Sequence, residues 1–324
     1  MSATSNVLSE FHFGRLLGKG FSSRCYLVTK AVIKKAKHNV SRKNVVREEK
    51  RFALKVVSLE YTGKCKKRTQ LLQNEIEIHQ SLSNQHIVRF ESSFCDDSNI
   101  YILLELCHNN SLSQMLHQRK ALTDFEVKYY ISQLVDALLY LYESKVIHRD
   151  LKLANIFLDK QMRIKVGDFG LSTKLKNRND CRYTVSGTPN YIAPEIISSK
   201  GYGFEVDIWS LGVITYTLLI GKPPYETENV KKTYSKIRKN DYSFPSSKDT
   251  PPVSFLAKNF IQSLLQLSPK DRPLPRAIKM NPFLSKNRET IPTFLPNSAM
   301  NSPPLEFIKS CECQISKKII ISEK

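Results

Sequence analysis

Apolar positions in the first hundred residues fall mostly at strand spacing. Phe11–Leu17 alternates loosely, Cys25–Val28 is a short apolar run, and Phe52–Val57 is rich in β-formers, so three strands are predicted. Ile100–Leu104 reads as a further, buried strand. Before it, Leu71, Glu75, Ile78 and Leu82 recur at i, i+4, i+7 and i+11, a helical period that sets one carboxylate on an apolar stripe. Past about residue 110 the pattern lengthens into helices, among them 124–143 and 205–220. Strands first and helices afterwards predict an α+β protein of two lobes. Residues 1–10 read as an N-terminal extension. From Ser285 the chain turns rich in Pro, Ser and Asn, then in Lys, and 285–324 reads as a C-terminal tail. No internal repeat is visible.

Composition narrows the class. Apolar residues make up 41% and charged residues 25% of the 324, which excludes a disordered chain. Lys and Arg outnumber Asp and Glu by 50 to 30, a net charge of +20. That balance admits nucleic acid, an anionic membrane or an anionic small molecule such as a nucleotide as partner, and does not choose among them. The seven cysteines show no Cys-x-x-Cys spacing, so a reducing, intracellular setting is expected rather than a disulfide framework or a zinc site. The longest mainly apolar run, 211–220, is about half of what a membrane span needs. Residues 1–10 lack the charged and apolar regions of a secretory signal. The stretch 30–51 carries nine Lys/Arg against two Glu and no interleaved aromatics, and reads as a solvated basic insertion between strands.

Three segments carry candidate chemistry. Leu17-Gly18-Lys19-Gly20 lies between two strands, where missing Cβ atoms suit either a plain hairpin or close approach to phosphates. The absence of a third glycine and of a following helix excludes the dinucleotide fingerprint. Lys55, in Ala53-Leu54-Lys55, sits among apolar neighbours and needs an anionic partner, for which Glu75 is the candidate. In His148-Arg149-Asp150-Leu151-Lys152-Leu153-Ala154-Asn155, five polar residues crowd between two apolar runs, and Asp168-Phe169-Gly170 follows. Asp150 is suited to accept a hydroxyl proton, and Asn155 and Asp168 to hold Mg²⁺ through oxygen.

These motifs, in this order, resemble the eukaryotic protein kinases over residues 11–284. The resemblance implies the two-lobed protein kinase fold, with a β-rich N-lobe over about 11–105 and a mainly helical C-lobe over about 108–284. It implies a protein serine/threonine kinase that transfers the γ-phosphoryl group of ATP with Mg²⁺. Leu17, Gly18, Lys19, Gly20, Cys25, Ala53, Lys55, Glu75, Glu105 and Cys107 would then line the ATP site, with Lys55 on the α/β-phosphates and paired to Glu75. Asp150 would be the catalytic base, Lys152 a γ-phosphate contact, Thr188 a partner of Asp150, and Asn155 and Asp168 the metal ligands. Glu195 would pair with Arg272, Asp207 would brace the catalytic loop, and Thr184 would be the activating phosphosite.

Cys25, Leu103–Cys107, Gly187–Glu195, Gly221–Thr227 and 291–307 together resemble the polo-like kinases. That resemblance implies protein substrates acidic around the target residue, a monomer, no membrane and no specific nucleic-acid partner. It also implies cell-division roles in nucleus and cytoplasm, including centrosome or spindle-pole structures. The chain departs from the pattern at Phe21 and Ser22 in the glycine loop, at His108-Asn109-Asn110, where relatives carry a basic run, and in ending at Lys324, too early for polo boxes. The alternative is a kinase-fold scaffold without turnover.

Overall fold

The computed structural model describes residues 7–20, 23–34, 46–62, 66–177, 180–245, 253–285 and 294–309. Phe21 and Ser22 of the glycine loop and 35–45 of the basic stretch lie outside the described residues. The chain divides into two compact units, one of residues 1–83 and 88–107 and the other of residues 84–87 and 108–324.

In the first unit the alternating runs form an antiparallel sheet of β1 (Phe11–Lys19), β2 (Ser23–Lys34), β3 (Val46–Ser58), β4 (Phe90–Cys95) and β5 (Asn99–Glu105), in the order β1-β2-β3-β5-β4. The period of two sorts β3 onto two faces. Leu54 joins Phe11, Val28, Tyr101 and Leu103 in one cluster. Val57 joins Ile102 and Leu72 in another, on the face covered by helix α1 (Lys66–Gln80). The apolar stripe of α1 differs from the expected one. Leu71 is 41% exposed, whereas Leu72, Glu75, Ile78, His79 and Leu82 are buried. The helix is rolled toward Leu72 and Ile76 because those two side chains pack onto Val57 and Ile102.

The basic stretch 30–51 also differs from a plain insertion. β2 and β3 remain paired out to Lys34 opposite Val46, so both ends of the stretch are strand. The β-branched Val32 favours the extended backbone, and the uncharged Ala31 stands opposite Glu49, which outweighs the like charges of Lys30 and Lys50 one position away.

The second unit is built around α3 (Asp124–Glu143) and α5 (Glu205–Ile220), which follow α2 (Leu112–Arg119) and the single turn α4 (Pro194–Ile197). Thr123 and Glu126 form a capping box that starts α3. The same Glu126 carboxylate, fully buried, takes two hydrogen bonds of 2.8 Å from the Arg119 guanidinium. From Val206 to Leu218 every residue of α5 is buried, which makes it the central helix. Around it lie α6 (Val230–Lys239), α7 (Phe255–Leu264), α8 (Pro275–Lys279) and α9 (Pro282–Ser285). Two small antiparallel pairs, β6 (Val146–Ile147) with β9 (Thr173–Lys174) and β7 (Ile156–Leu158) with β8 (Ile164–Val166), frame the polar loops. Among the described residues no helix is long and apolar enough to cross a membrane.

The expected tail is not free of the fold over 294–309. Leu295, Ala299, Met300 and Ile308 are buried, and Arg119 donates to the Ala299 carbonyl at 2.5 Å. Asn109 donates one amide hydrogen bond to Asp159 and another to Asn297. Four apolar anchors spaced through a Pro/Ser-rich stretch are enough to dock it, although they form no periodic pattern.

Candidate functional site

Each unit carries one group of the residues singled out. In the first, Gly18 lies opposite Cys25 across β1–β2, Cys25 opposite Lys55 across β2–β3, and Lys55 opposite Ile102 across β3–β5. Directly opposed residues share a face, and Ala53 joins Lys55 by the alternation of the strand. This is the face that α1 covers. Lys55 Nζ donates to Glu75 Oε1 at 2.6 Å, with Glu75 buried at 7% exposure, so the expected pair is formed.

Leu17 and Lys19 are exposed on β1, and the Gly20 N–H donates to the Ser23 carbonyl at 2.8 Å. A Cβ on Gly18 would meet no protein atom within 4 Å, so its bareness serves no internal packing and leaves room for a ligand. Burial, opposed by the charge of Lys55, pushes the Cys25 thiol up to about 11, so it stays a neutral wall rather than a nucleophile. The Glu105 carboxylate accepts the Arg89 N–H at 2.7 Å, and Cys107 follows β5, half-buried.

In the second unit the loop after β6 gathers the rest. Asp150 Oδ1 accepts the Thr188 hydroxyl at 2.6 Å, and Oδ2 accepts Lys152 Nζ at 2.6 Å. Lys152 Nζ also lies 2.9 Å from Thr188 Oγ1, which closes a three-residue ring. Asn155 Nδ2 donates to the Asp150 carbonyl at 2.9 Å and to Oδ2 at 3.3 Å. With its nitrogen so committed, Asn155 keeps Oδ1 as an oxygen donor. The Gly167 N–H donates to the Asn155 carbonyl at 2.9 Å, which brings Asp168 beside it in sequence. A side-chain amide oxygen and an exposed carboxylate are the hard donors that suit Mg²⁺.

The backbone here is held in an uncommon shape. Arg149 and Asp168 have φ of 68° and 62°, a left-handed region that costs a non-glycine residue about 1–3 kcal/mol. Asp207, at the start of α5, offsets this at Arg149 by accepting the His148 and Arg149 N–H groups at 2.8 and 2.9 Å. Burial pushes the Asp207 carboxyl up, against the pull of His148, the two amides and Arg149. Gly187, with φ of +129°, is the other special position. A Cβ there would come within 3.1 Å of the Arg149 carbonyl, so glycine lets Thr188 reach Asp150.

Glu195 and Arg272 meet in a buried bidentate pair, 2.6 and 2.8 Å. Thr184 is exposed. Its carbonyl accepts the Tyr202 hydroxyl at 2.8 Å, and that hydroxyl lies 3.2 Å from Arg149 Nη1. Two participants escaped sequence reasoning. Tyr202, which links Arg149 to the Thr184 backbone, has no local signal. His148 accepts the Asp150 N–H on Nδ1 at 3.3 Å, which leaves Nε2, 3.1 Å from the Gly167 carbonyl, as the donor. Its place in the crowded polar run was the available clue.

The protein kinase domain family matches residues 11–284. The chain belongs to the protein kinase family. It is 46% identical over 302 residues to the probable serine/threonine-protein kinase CCRP1 of Zea mays, covering 93% of this chain and 45% of that protein. It is 42% identical over 297 residues to the cell cycle serine/threonine-protein kinase CDC5/MSD2 of Saccharomyces cerevisiae, covering 91% and 39%. To the serine/threonine-protein kinase polo of Drosophila melanogaster it is 40% identical over 290 residues, covering 90% and 46%. The resemblance to these kinases thus extends over at least 90% of the chain, while the chain spans less than half the length of each of these relatives.

Proposed function

We propose that this kinase transfers the γ-phosphoryl group of ATP to serine or threonine hydroxyls of protein substrates, within cell-cycle or cell-division control. The observation that carries the reading is the ring of Asp150, Lys152 and Thr188, with Asn155 on the same carboxylate. Such a ring holds a carboxylate in one orientation, ready to accept a hydroxyl proton, with a cation beside it for the transferring phosphoryl group. Thr188 on that carboxylate favours serine and threonine over tyrosine as acceptors.

Lys55, oriented by Glu75, contacts the α/β-phosphates, and Gly18 and Gly20 let backbone approach them. Cys25 and Ala53 supply the apolar wall for the base, and the backbone around Glu105 and Cys107 its polar edge, since the Glu105 carboxylate is engaged with Arg89. Asn155 and Asp168 hold Mg²⁺, which when bound neutralises phosphate charge. The substrates are protein segments acidic around the target residue, and the chain acts as a monomer in nucleus and cytoplasm, including centrosome or spindle-pole structures. The name of the yeast relative supports the cell-cycle reading.

The test is Mg-ATP-dependent transfer of labelled phosphate by the purified chain onto casein, followed by phosphoamino-acid analysis. Labelled phosphoserine or phosphothreonine is the expected result. No transfer, with ATP bound, would move the reading to a scaffold.

Thr184 is the proposed activating phosphosite. A phosphate there adds a charge of about −1.5 to −2 close to Tyr202 and Arg149, and orders the segment through the guanidinium. Thr184→Val is expected to lose the activation that an upstream kinase confers in the casein assay. Full activity of the variant after phosphatase treatment would overturn that role.

A further inference from the structure

Helix α6 reads Val-Lys-Lys-Thr-Tyr-Ser-Lys-Ile-Arg-Lys, with five cations and no acid in ten residues. Thr233 and Ile237 turn inward and are buried, and Tyr234 packs on the same core. Lys231 and Arg238 are seven residues apart, as are Lys232 and Lys239, so at helical period these four share the face opposite Thr233 and Ile237. All four are exposed. The flanking acids, Glu228 and Asp241, lie beyond the two ends of the helix. Among the described residues none of the five cations has an ion-pair partner, and the like charges at Lys232 and Lys236 oppose the helix. The helix dipole favours Lys236, Arg238 and Lys239 in the last turn, but it gives no reason for Lys231 and Lys232 in the first.

A groove of about 500 Å³ adjoins the same side of the unit, lined by Ser198, Lys200, Arg238, Leu267, Ser268 and Pro269. Glu195 also borders it, but its carboxylate is taken by Arg272. Lys200 is exposed and has no acidic partner among the described residues, and Lys270 follows Pro269. The groove therefore offers two cations and two hydroxyls at the end of a cationic helix face.

We propose that α6 and this groove form a docking surface for an acidic, Asp/Glu-rich segment of a protein substrate. One carboxylate sits between Lys200 and Arg238, and further acids lie along Lys231, Lys232 and Lys239. The inference deepens the proposed kinase function by naming how its substrates are held away from the phosphoacceptor. A ten-residue helix is about 15 Å long, the span of roughly five residues of extended peptide. A membrane partner would call for a row of exposed apolar anchors on the helix, whereas α6 exposes a single one, Val230 at its start, and packs Ile237 and Tyr234 on the core. A single-stranded nucleic acid would call for exposed aromatic platforms, and the cationic face carries none.

The test uses the full chain, fluorescence anisotropy and a fluorescein-labelled Glu-rich peptide, with its Gln counterpart, duplex DNA and phosphatidylserine vesicles as comparators. The Glu peptide is expected to bind, more weakly at higher salt, and the Gln peptide not to bind. Lys200→Glu with Arg238→Glu is expected to weaken binding by about tenfold or more. Lys232→Glu with Lys239→Glu, on the outer face of the helix, gives a second variant should the first fail to fold. In the transfer assay, either variant raises KM for a substrate fused to the Glu-rich segment and leaves kcat, and the rate on a short neutral peptide, unchanged. Unchanged anisotropy in both variants would overturn the proposal. So would equal or tighter binding of DNA or vesicles that the same variants abolish. Anisotropy needs no turnover, so peptide binding without phosphate transfer would overturn the kinase reading alone.

Discussion

Asp150→Asn is expected to lower kcat for phosphate transfer by about 10²–10⁴-fold, the usual worth of a positioned general base. The carboxylate accepts from Thr188, Lys152 and Asn155 at once, so the anion is the centre of the local network. Asparagine keeps the size of the group but offers one acceptor oxygen, and it sets an NH₂ against either the Lys152 ammonium or the Thr188 hydroxyl. The proposed base would be lost together with the orientation of Lys152. Single-turnover rates at saturating ATP check this, alongside the melting temperature. A rate within threefold of the parent, in a folded variant, would remove Asp150 from the chemistry.

Arg272→Met is expected to destabilise the protein by about 3–5 kcal/mol, because it strands a buried charge. Arg272 is buried, with four of its five N–H groups engaged. It donates to both Glu195 oxygens, to the Gln266 carbonyl at 2.9 Å and to the Glu205 carbonyl at 2.9 Å, and it stacks over the Trp209 ring. Methionine fills much of the volume and supplies none of these donors, so the Glu195 carboxylate is left uncompensated. Against a total stability of roughly 5–15 kcal/mol the loss is large, with a fall in melting temperature on the order of 10 °C. Adding Glu195→Leu to the variant is expected to recover most of that loss, since the stranded charge is gone while two carbonyls stay unpaired. Calorimetry on the single and double variants decides it, and a melting temperature unchanged in Arg272→Met would sink the argument.

The Lys55–Glu75 pair shows why some of the site was legible from residues alone. Lys55 and Glu75 each stood on an apolar pattern, one in a strand and one on a helix stripe, and burying either alone is costly. Pairing was therefore predictable before any coordinate, and the structure forms it at 2.6 Å. The roll of α1 toward Leu72 was not predictable, because Leu71 and Leu72 fit a helical period about equally well. Only the positions of Val57 and Ile102 on the sheet choose between them. The same holds for 294–309, where Pro and Ser hide Leu295, Met300 and Ile308 from any periodic reading, and burial depends on a surface that α2 and its neighbours supply.

By itself the sequence determined the residue types of the site and their order. The polar crowd at 148–155, Asp168-Phe169-Gly170 and Lys55 are local facts, written in consecutive residues. It determined the long helices as well, because 124–143 and 205–220 bury wide apolar faces that any fold must cover. Tertiary structure alone decided which polar groups share an atom. Thr188 meets Asp150 across 38 residues of chain, Asp207 meets His148 across 59, and Tyr202 spans Arg149 and the Thr184 carbonyl. The reason is physical: a side-chain period reports which face is buried, whereas a hydrogen bond depends on a few tenths of an ångström set by the packing of every element behind it.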